Sequence, residues 1–350
     1  MKSILRCPAV TVLMPVYDAP LEMLHQAIES VLSQTFADFE FLILDDGSDE
    51  ERVRAGLDSW ASRDARVRIC HEPHRGLPGT LNHGLALARG AYIARQDADD
   101  WSEPQRLERQ LAFLKNHPDV VLTSTDTYSH AADGTPLWRL RLPHASAELK
   151  CALWEGNPFV HGSTMYRRQR ALEIGGYREQ LVGSEDYDFF WRLTETGDSV
   201  NLDEVLYHYR FTGGSISARR AVQQARSHRA AHQLAAARRR GEAEDIQAAL
   251  AAAEEACAPD ALRFALKQAD HFMLAGDFPA ARRAYLLLLV EHPWNWLAWA
   301  KMSRLAVFRA IPQAREACFR WVHPRRILFA PGPDRRRTAR ERKETCRELV

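Results

Sequence analysis

Short apolar runs alternate with segments of helical periodicity along the first third of the chain. Residues 10–16 and 39–44 are apolar runs typical of strands buried on both faces of a sheet. Residues 21–33 between them place apolar side chains at helical spacing. The alternation continues with a helix to about residue 62, a strand at 67–70, a helix at 77–88, a strand at 91–94, a helix from Pro104 to Asn116 and a strand at 120–124. This order predicts an α/β domain with a mainly parallel central sheet and helices on both faces.

Two acidic turns directly follow predicted strands. The first is Asp45-Asp46-Gly47-Ser48 and the second is Asp97-Ala98-Asp99-Asp100. Because the carboxyl ends of parallel strands lie at one edge of a sheet, we expect both turns at the edge where ligands bind. Adjacent carboxylates are hard oxygen ligands that suit Mg²⁺ or Mn²⁺. Taken alone, the first turn is at least as compatible with an ordinary turn as with a ligand site, and the second is more typical of a helix N-cap, for which Asp is favoured.

The composition changes near residue 218, after which Ala, Arg, Gln and Glu dominate. Consecutive helices are predicted at 218–240, 242–257, 260–275, 279–292 and 297–310. Residues 269–299 resemble one tetratricopeptide repeat, and since one repeat cannot bury its own apolar face, we predict a helical appendage rather than a solenoid. The predicted organisation is an α/β domain at 1–217, a helical region at 218–324 and a basic tail at 325–350.

Composition and charge narrow the class of protein. The chain has 350 residues, of which 46% are hydrophobic and 27% charged, as in soluble globular proteins. Its net charge of +1 gives no indication of nucleic-acid binding. The tail at 325–350 has nine Lys or Arg against four Asp or Glu, a net charge of +5, which suits an anionic membrane surface. The six scattered cysteines favour free thiols in a reducing cytosol. We predict a cytoplasmic protein, at most peripheral at the inner face of the membrane.

Several motifs in a fixed order are more specific than either acidic turn. They are Val12-Leu-Met-Pro-Val-Tyr17, Ser30-Val-Leu-Ser-Gln-Thr-Phe36, Phe39-Glu-Phe-Leu-Ile-Leu-Asp-Asp-Gly-Ser-Asp49, Leu81-Asn-His-Gly84, Gly90-Ala-Tyr-Ile-Ala-Arg-Gln-Asp-Ala-Asp-Asp100, Gly183-Ser-Glu-Asp-Tyr-Asp-Phe-Phe-Trp-Arg192 and Tyr209-Arg-Phe-Thr-Gly-Gly-Ser-Ile-Ser217. With this set, residues 10–217 resemble inverting family-2 glycosyltransferases of the GT-A fold. The resemblance implies transfer of a sugar from a nucleotide-sugar, usually a UDP-sugar, to the hydroxyl of a glycan or lipid-linked acceptor. It also implies Mn²⁺ or Mg²⁺ as the cofactor, and a role in surface polysaccharide, lipopolysaccharide or glycan synthesis.

The resemblance assigns roles on the donor side of the site. The implied nucleotide-sugar-binding residues are Pro15, Tyr17, Asp45, Asp46, Asn82, Arg95, Asp97 and Arg210. Among them Asp46, with Asp45 beside it, accepts a hydrogen bond from the nucleobase. Asp99 is the principal metal ligand, and Asp97 contacts the ribose or the metal. Arg210 and the Gly213-Gly214 loop after it close over the diphosphate, which a guanidinium recognises by charge and shape.

On the acceptor side, the resemblance makes Asp186 the general base that removes the proton of the acceptor hydroxyl. Glu185 and His161 are candidates for framing the acceptor. Glu185 and Asp100 also suit the first turn of a helix, where the helix dipole favours negative charge. For these two acidic residues a helix-start role is the stronger expectation.

Two alternatives remain open from the sequence. A nucleotidyltransferase or another nucleotide-binding α/β enzyme would also use paired carboxylates, but the sequence contains neither common Gly-rich phosphate loop. The other alternative is a degenerate enzyme domain that serves as an interaction scaffold through its helical region. The presence of Asp46, Asp99 and Asp186 favours an active enzyme over the scaffold.

Overall fold

The computed structural model describes residues 7–212, 221–257 and 261–305. The strands are β1 (Val10–Val16), β2 (Phe39–Asp45), β3 (Val67–His71), β4 (Tyr92–Arg95), β5 (Trp101–Ser102), β6 (Val120–His130), β7 (Pro136–Leu140), β8 (Met165–Arg167) and β9 (Asp198–Arg210). They form one sheet in the order β3-β2-β1-β4-β8-β6-β9-β5, with β7 paired to β6. The helices that flank this sheet are α1 (Leu21–Leu32), α2 (Glu51–Arg63), α3 (Leu77–Leu87), α4 (Arg106–Asn116), α5 (Ser146–Leu153), α6 (Arg168–Glu173) and α7 (Glu185–Thr194).

The first half of the sheet is parallel and brings the two acidic turns to one edge. β1 lies between β2 and β4 and is parallel to both. The last residue of β1, Val16, pairs with Asp45, and Leu13 pairs with Arg95 at the end of β4. Both acidic turns therefore leave the sheet at its carboxyl edge, as the strand pattern predicts.

The second half of the sheet is antiparallel in part, so the sheet is mixed rather than mainly parallel. Four of its eight strand pairings are antiparallel: β4 with β8, β6 with β7, β6 with β8 and β5 with β9. β6 continues six residues beyond the predicted end at residue 124, through a run of Ser, Thr and Asp that is largely buried. Because those residues are polar, the apolar pattern ends before the strand does. The α/β architecture with flanking helices is confirmed.

Each face of the sheet has its own apolar core. α1, α2 and α4 cover one face through a cluster that includes Ile28, Leu57 and Leu111. α3, α5 and α7 cover the other face. A side chain at Gly84 in α3 would place its Cβ 2.4 Å from Leu13 of β1, so this helix can lie close to the sheet only with glycine there.

A helical region follows the sheet, as predicted. Its helices are α8 (Ala221–Arg239), α9 (Ile246–Cys257), α10 (Ala261–Ala275), α11 (Phe278–Glu291) and α12 (Trp296–Ser303). α8 and α9 extend the core on the α7 side, and α10–α12 pack on Leu137 and Trp138 of β7. Gly276, at a φ of 83°, joins α10 to α11. Residues 218–220, the helical region beyond residue 305 and the basic tail at 325–350 lie outside the described residues.

The structure bears on the predictions about membrane-spanning helices and about the cysteines. Within the described ranges, no helix is both long and apolar enough to cross a bilayer. Cys7 and Cys70 are free thiols, as predicted. The expectation of free thiols throughout is wrong at Cys151, which is disulfide-bonded. Spacing along the sequence did not indicate this bond, because a disulfide depends on proximity in the folded chain.

Candidate active site

The Asp97–Asp100 turn lies between the end of β4, the end of β9 and a short 3₁₀ turn at His161–Ser163. The hydroxyl of Tyr207 on β9 accepts a hydrogen bond from the backbone N–H of Asp97 at 3.1 Å. A Cβ at Gly162 would lie 2.0 Å from that hydroxyl and 2.5 Å from Oδ2 of Asp97. The 3₁₀ turn therefore approaches the acidic turn so closely that only glycine fits.

Arg95 is a buried cation beside this turn. Its guanidinium donates to Oδ1 of Asp97 at 2.7 Å and to the carbonyl of Gln96. Burial is the largest single influence and disfavours the charged guanidinium, but Asp97 and the tyrosines at 166, 177 and 207 together outweigh it, and the pKa of Arg95 is raised. Arg95 therefore contributes a fixed positive charge to an otherwise acidic cluster.

The other two aspartates of the turn contact the end of β9. The backbone N–H of Arg210 donates to Oδ1 of Asp100 at 2.7 Å, and its guanidinium donates to the carbonyl of Asp99 at 2.7 Å. Thr212 donates to Oδ2 of Asp99 at 3.3 Å. Burial, and then the charge of Asp97, raise the pKa of Asp99 to about 6. The expectation that Asp100 starts a helix is wrong, since α4 begins only at Arg106 and Asp100 binds β9 instead.

Asp186 lies in the first turn of α7, beside Glu185. Its Oδ1 accepts from the backbone N–H of Tyr187 and its Oδ2 from the amide of Asn157, both at 2.8 Å. Burial is the largest cause that raises the pKa of Asp186 to about 6; Asp97 raises it further, whereas Arg95 lowers it. The acidic turn and Asp186 therefore interact electrostatically, through Asp97.

Glu185 and His161 both adjoin α7: Glu185 is part of this helix, and the His161 ring lies 5.7 Å from that of Phe190. Glu185 is the first residue of α7, which confirms its helix-start role, and it accepts from the backbone N–H of Gly183 at 2.5 Å. Burial, and then Asp186, raise the pKa of Glu185 to about 7. His161 forms a 3.1 Å hydrogen bond with the hydroxyl of Tyr177, and burial holds its pKa well below the usual range. His161 is therefore a neutral hydrogen-bonding group.

Both carboxylates of the first acidic turn are hydrogen-bonded to nearby loop residues. Asp45 accepts from the backbone of Ser48 at 3.0 Å and pairs with His71 at 2.7 Å. Asp46 accepts from the backbone N–H groups of Arg75 at 2.7 Å and Gly76 at 3.0 Å. Both carboxylates thus fix the loop that leads into α3, and base recognition by Asp46 remains an untested prediction that must compete with these bonds.

The remaining donor-side candidates differ in their freedom to bind a ligand. Tyr17 follows β1, is 49% exposed, and its ring lies 4.5 Å from that of His74. Pro15 is a partly buried residue within β1. Asn82 accepts from the backbone N–H of Tyr177 at 2.7 Å and donates to its carbonyl at 2.9 Å. Asn82 therefore has a structural role already, whereas Tyr17 is available. The Gly213-Gly214 loop lies outside the described residues.

The Asp97–Asp100 turn fits a divalent cation. Its three carboxylates lie within four residues, and the like charge of Asp97 raises the pKa of Asp99. Oδ2 of Asp100 is buried and has no hydrogen-bond partner among the described residues. A cation would relieve both features, and carboxylate oxygen is the donor that Mg²⁺ and Mn²⁺ prefer.

A second acidic group, Asp126, His144 and Asp203, lies away from this turn and also has ligand spacing. Arg139 already neutralises the two carboxylates, because its guanidinium donates to Asp126 and to Asp203 at 2.8 Å each. The backbone of Leu142 occupies the other oxygen of Asp126 at 3.0 Å. This group is an ion-pair network between β6, β7 and β9.

Sequence reasoning missed the residues that hold the site in place. Arg106, the buried first residue of α4, donates to the carbonyls of Arg95 at 2.7 Å and Thr164 at 3.2 Å. Tyr207, Gly162 and Asn157 also act here, as described above. None lies in an acidic motif, and their roles depend on contacts between strands far apart in sequence. The one available sequence signal for Arg106 was a charged residue at a position of α4 where the helical periodicity expects an apolar one.

Comparison with known proteins agrees with this geometry. Residues 11–175 match the family model described as Glycosyl transferase family 2. EpsE of Bacillus subtilis, named as a glycosyltransferase, is 35% identical over 207 residues, which cover 58% of this chain and 73% of EpsE. AmsE of Erwinia amylovora, named as an amylovoran biosynthesis glycosyltransferase, is 30% identical over 200 residues, which cover 57% of this chain and 74% of AmsE. The chain belongs to glycosyl transferase family 2 and is a glycosyltransferase.

Solved structures show the same fold at low sequence identity. The mannosyltransferase PcManGT from Pyrobaculum calidifontis, solved with GDP-Man and Mn²⁺, has a TM-score of 0.54 and 19% identity, covering 89% of this chain and 88% of that one. TarS residues 1–349 from S. aureus, solved with UDP-GlcNAc, has a TM-score of 0.53 and 17% identity, covering 89% and 92%. These likenesses establish the GT-A fold.

Proposed function

We propose that this glycosyltransferase moves a sugar from a nucleoside-diphosphate sugar to an acceptor hydroxyl, with inversion at the anomeric carbon, during assembly of a polysaccharide. The name of AmsE supports the polysaccharide role. PcManGT and TarS, which were solved with GDP-Man and UDP-GlcNAc, support a nucleotide-sugar donor. Among donors we favour a UDP-sugar, on the resemblance described at the outset.

On the donor side, Asp97 and Asp99 hold Mn²⁺ or Mg²⁺, and Arg210 and Arg95 supply positive charge around the diphosphate. A bound divalent cation neutralises charge on the diphosphate leaving group. Arg210 lies beside the acidic turn through its bonds to Asp99 and Asp100. Tyr17 offers an exposed ring for the nucleobase.

On the acceptor side, Asp186 is the general base. The observation that carries the proposal is the state of its carboxyl: it lies in the first turn of α7 within the electrostatic reach of Asp97, with a pKa raised to about 6. A base with a pKa just below neutrality is ionised at pH 7 and still accepts a proton readily. Asp186 takes the proton of the acceptor hydroxyl while the hydroxyl oxygen attacks the anomeric carbon, in line with the departing diphosphate.

The test of the base is Asp186→Asn, which keeps the shape of the side chain and removes its basicity. We expect sugar transfer to fall by a factor of about 10²–10⁴, the usual contribution of a positioned base, while nucleotide affinity stays within a few-fold of the wild type. Asp119→Asn, at an exposed carboxylate away from the site, is the matched control. Transfer by Asp186→Asn at the wild-type rate would overturn the mechanism.

A calorimetric screen of UDP, GDP and dTDP with and without Mn²⁺ tests the donor side. We expect UDP to bind, and to bind more tightly with Mn²⁺, and we expect Asp99→Asn to remove the effect of the metal. A preference for GDP or dTDP would correct the nucleotide. If no nucleotide binds and no donor is consumed, the chain is a scaffold built on an inactive glycosyltransferase domain.

A further inference from the structure

Exposed apolar side chains are concentrated on the last two described helices. Nine large hydrophobic residues are exposed in the described parts of the chain, and six of them lie between residues 286 and 299. These six, which we call the aromatic patch, are Leu286, Leu287, Val290, Trp294, Trp296 and Trp299. Such a concentration on a soluble surface marks an interaction site.

The patch is not needed to pack the helices that carry it. The opposite face of α11 buries Tyr285, Leu288 and Leu289 against α10 and α12. Trp299 donates its indole N–H to the carbonyl of Pro293 at 2.9 Å, which ties α12 to the loop that presents Trp294. Among the described residues, the patch is therefore an outer surface that the packing of α10, α11 and α12 does not use.

We propose that the aromatic patch inserts into the interfacial layer of a membrane that contains anionic lipids. Its side chains project from the surface instead of lining a groove: Trp294 is 94% exposed and Val290 is 80% exposed. Side chains exposed to this degree can enter lipid without a matching pocket on a partner. Trp prefers this layer because its ring is apolar while its N–H can meet the headgroups.

Charges on α11 and in the sequence that follows favour anionic lipid over a second copy of the chain. Arg282 and Arg283 are exposed on α11, about one turn before Leu286 and Leu287, and Glu291 at the end of the helix offsets one of them. A further 45 residues follow Leu305, and their last part, 325–350, has a net charge of +5. An anionic surface attracts these charges, whereas an identical chain would repel them. Six side chains are also few beside the 20–30 residues a side of a stable protein interface.

Vesicle flotation of the full chain tests this proposal independently of sugar transfer. The vesicles contain phosphatidylcholine alone or mixed with phosphatidylglycerol. We expect the wild type to float with the anionic vesicles, and the combined change Leu287→Ser, Val290→Ser and Trp294→Ser to weaken partitioning at least tenfold. Burial of one Leu or Val side chain already exceeds the ~1.4 kcal/mol that a factor of ten requires.

The matched control is Leu172→Ser with Val222→Ser, which removes two exposed apolar side chains outside the patch; it should float like the wild type. Circular dichroism confirms that each variant is folded. The proposal is overturned if the patch variant floats as well as the wild type, which would leave binding to the basic tail alone. It is also overturned if the wild type does not float, whether it stays monomeric or forms a dimer that the patch variant dissociates.

Discussion

The carboxyl of Asp186 is surrounded by groups that act on its pKa in opposite directions. Burial and Asp97 raise the pKa to about 6, while Arg95 and the backbone N–H of Tyr187 lower it. Glu185, the adjacent residue, has a pKa raised to about 7 and shares the site. The acidity of the proposed base is therefore set by burial and by charges on β4 and α7 together.

This balance predicts how sugar transfer depends on pH. Asp186 must be ionised to accept the proton, so kcat/KM should be constant above pH 7 and fall about tenfold per unit on the acid side of its pKa, which is about 6 in the metal-free protein and is lowered by a cation beside Asp97. The measurement is transfer to a fixed acceptor at saturating metal between pH 5 and 8. A rate that stays constant down to pH 5 would contradict the assignment of Asp186 as the base.

Asn157 provides a variant that separates this effect from a general loss of activity. Its amide donates to Asp186 at 2.8 Å and favours the ionised carboxylate. Asn157→Ala should therefore move the acidic midpoint upward and reduce transfer more at pH 6 than at pH 8. Asn116→Ala, at an exposed end of α4, should leave the midpoint unchanged. A uniform loss at every pH would assign Asn157 a structural role only.

Asp99 makes a separate prediction about stability. Its pKa is raised from 3.8 to about 6. The penalty to the metal-free fold therefore sets in as the pH rises above 3.8, where the carboxyl ionises in the unfolded chain, and is complete above about pH 6, where it also ionises in the folded protein. Asp99→Asn should stabilise the metal-free protein by about 1–3 kcal/mol at pH 7.5. The gain should shrink as the pH falls below 6 and largely disappear near pH 3.5, where the wild-type carboxyl is protonated in the unfolded chain as well. Denaturant unfolding with a chelator present measures it, and an equal gain at both pH values would refute the cause.

At the scale of elements, the sequence predicts best where apolar pattern and turn chemistry agree. β1, β2 and β4 are placed correctly because each has a compact, largely apolar run, and acidic turns follow β2 and β4 closely. β7 and the 13-residue β9 were not predicted. The apolar pattern of β9 is interrupted by Asp203, Glu204 and His208, which occupy exposed or half-buried positions of the strand. Its buried Tyr207 positions the acidic turn from a strand distant in sequence.

The predicted site follows the same division. The acidic residues were proposed because motifs carry them, and in the structure burial and the charge of Asp97 raise the pKa of both Asp99 and Asp186. The hydrogen bonds that Asp46 accepts from the backbone of Arg75 and Gly76 could not be predicted from the motif, because they come from a loop that folds back on the turn. Sequence motifs identify chemical groups, whereas their partners depend on the tertiary structure.

The contact between the 3₁₀ turn and the acidic turn yields a prediction at this scale. In Gly162→Ala the added Cβ meets the Tyr207 hydroxyl and Asp97 Oδ2, so the two turns must separate. We expect Mn²⁺-dependent nucleotide binding to weaken at least tenfold while the fold is retained. Gly56→Ala on α2, whose Cβ would make only ordinary contacts with Leu21 and His25 of α1, is the control. Binding that is unchanged in Gly162→Ala would show that the turns are mobile relative to one another.

At the scale of the whole molecule, the helical region and the sheet domain share one core. Leu234 and Ala231 of α8 belong to the same buried cluster as Tyr187 and Trp191 of α7. Two ion pairs cross the same boundary, Arg238 with Glu195 at 2.8 Å and Arg178 with Glu244 at 2.6 Å. Since α7 begins with Glu185 and Asp186, the helical region supports the helix that carries the proposed base.

This arrangement predicts that damage to α8 reaches the active site. Leu234→Ala should lower the free energy of unfolding by about 2–4 kcal/mol, as for other buried leucines, and should speed deuterium exchange in α7 as well as α8. Val222→Ala, at a position 54% exposed on the same helix, should do neither. If exchange rose in α8 and α9 while α7 stayed protected, the helices would form an independent domain. If it rises in both, the proposed base depends on α8 for its position, and a chain cut at residue 217 would lose sugar transfer together with stability.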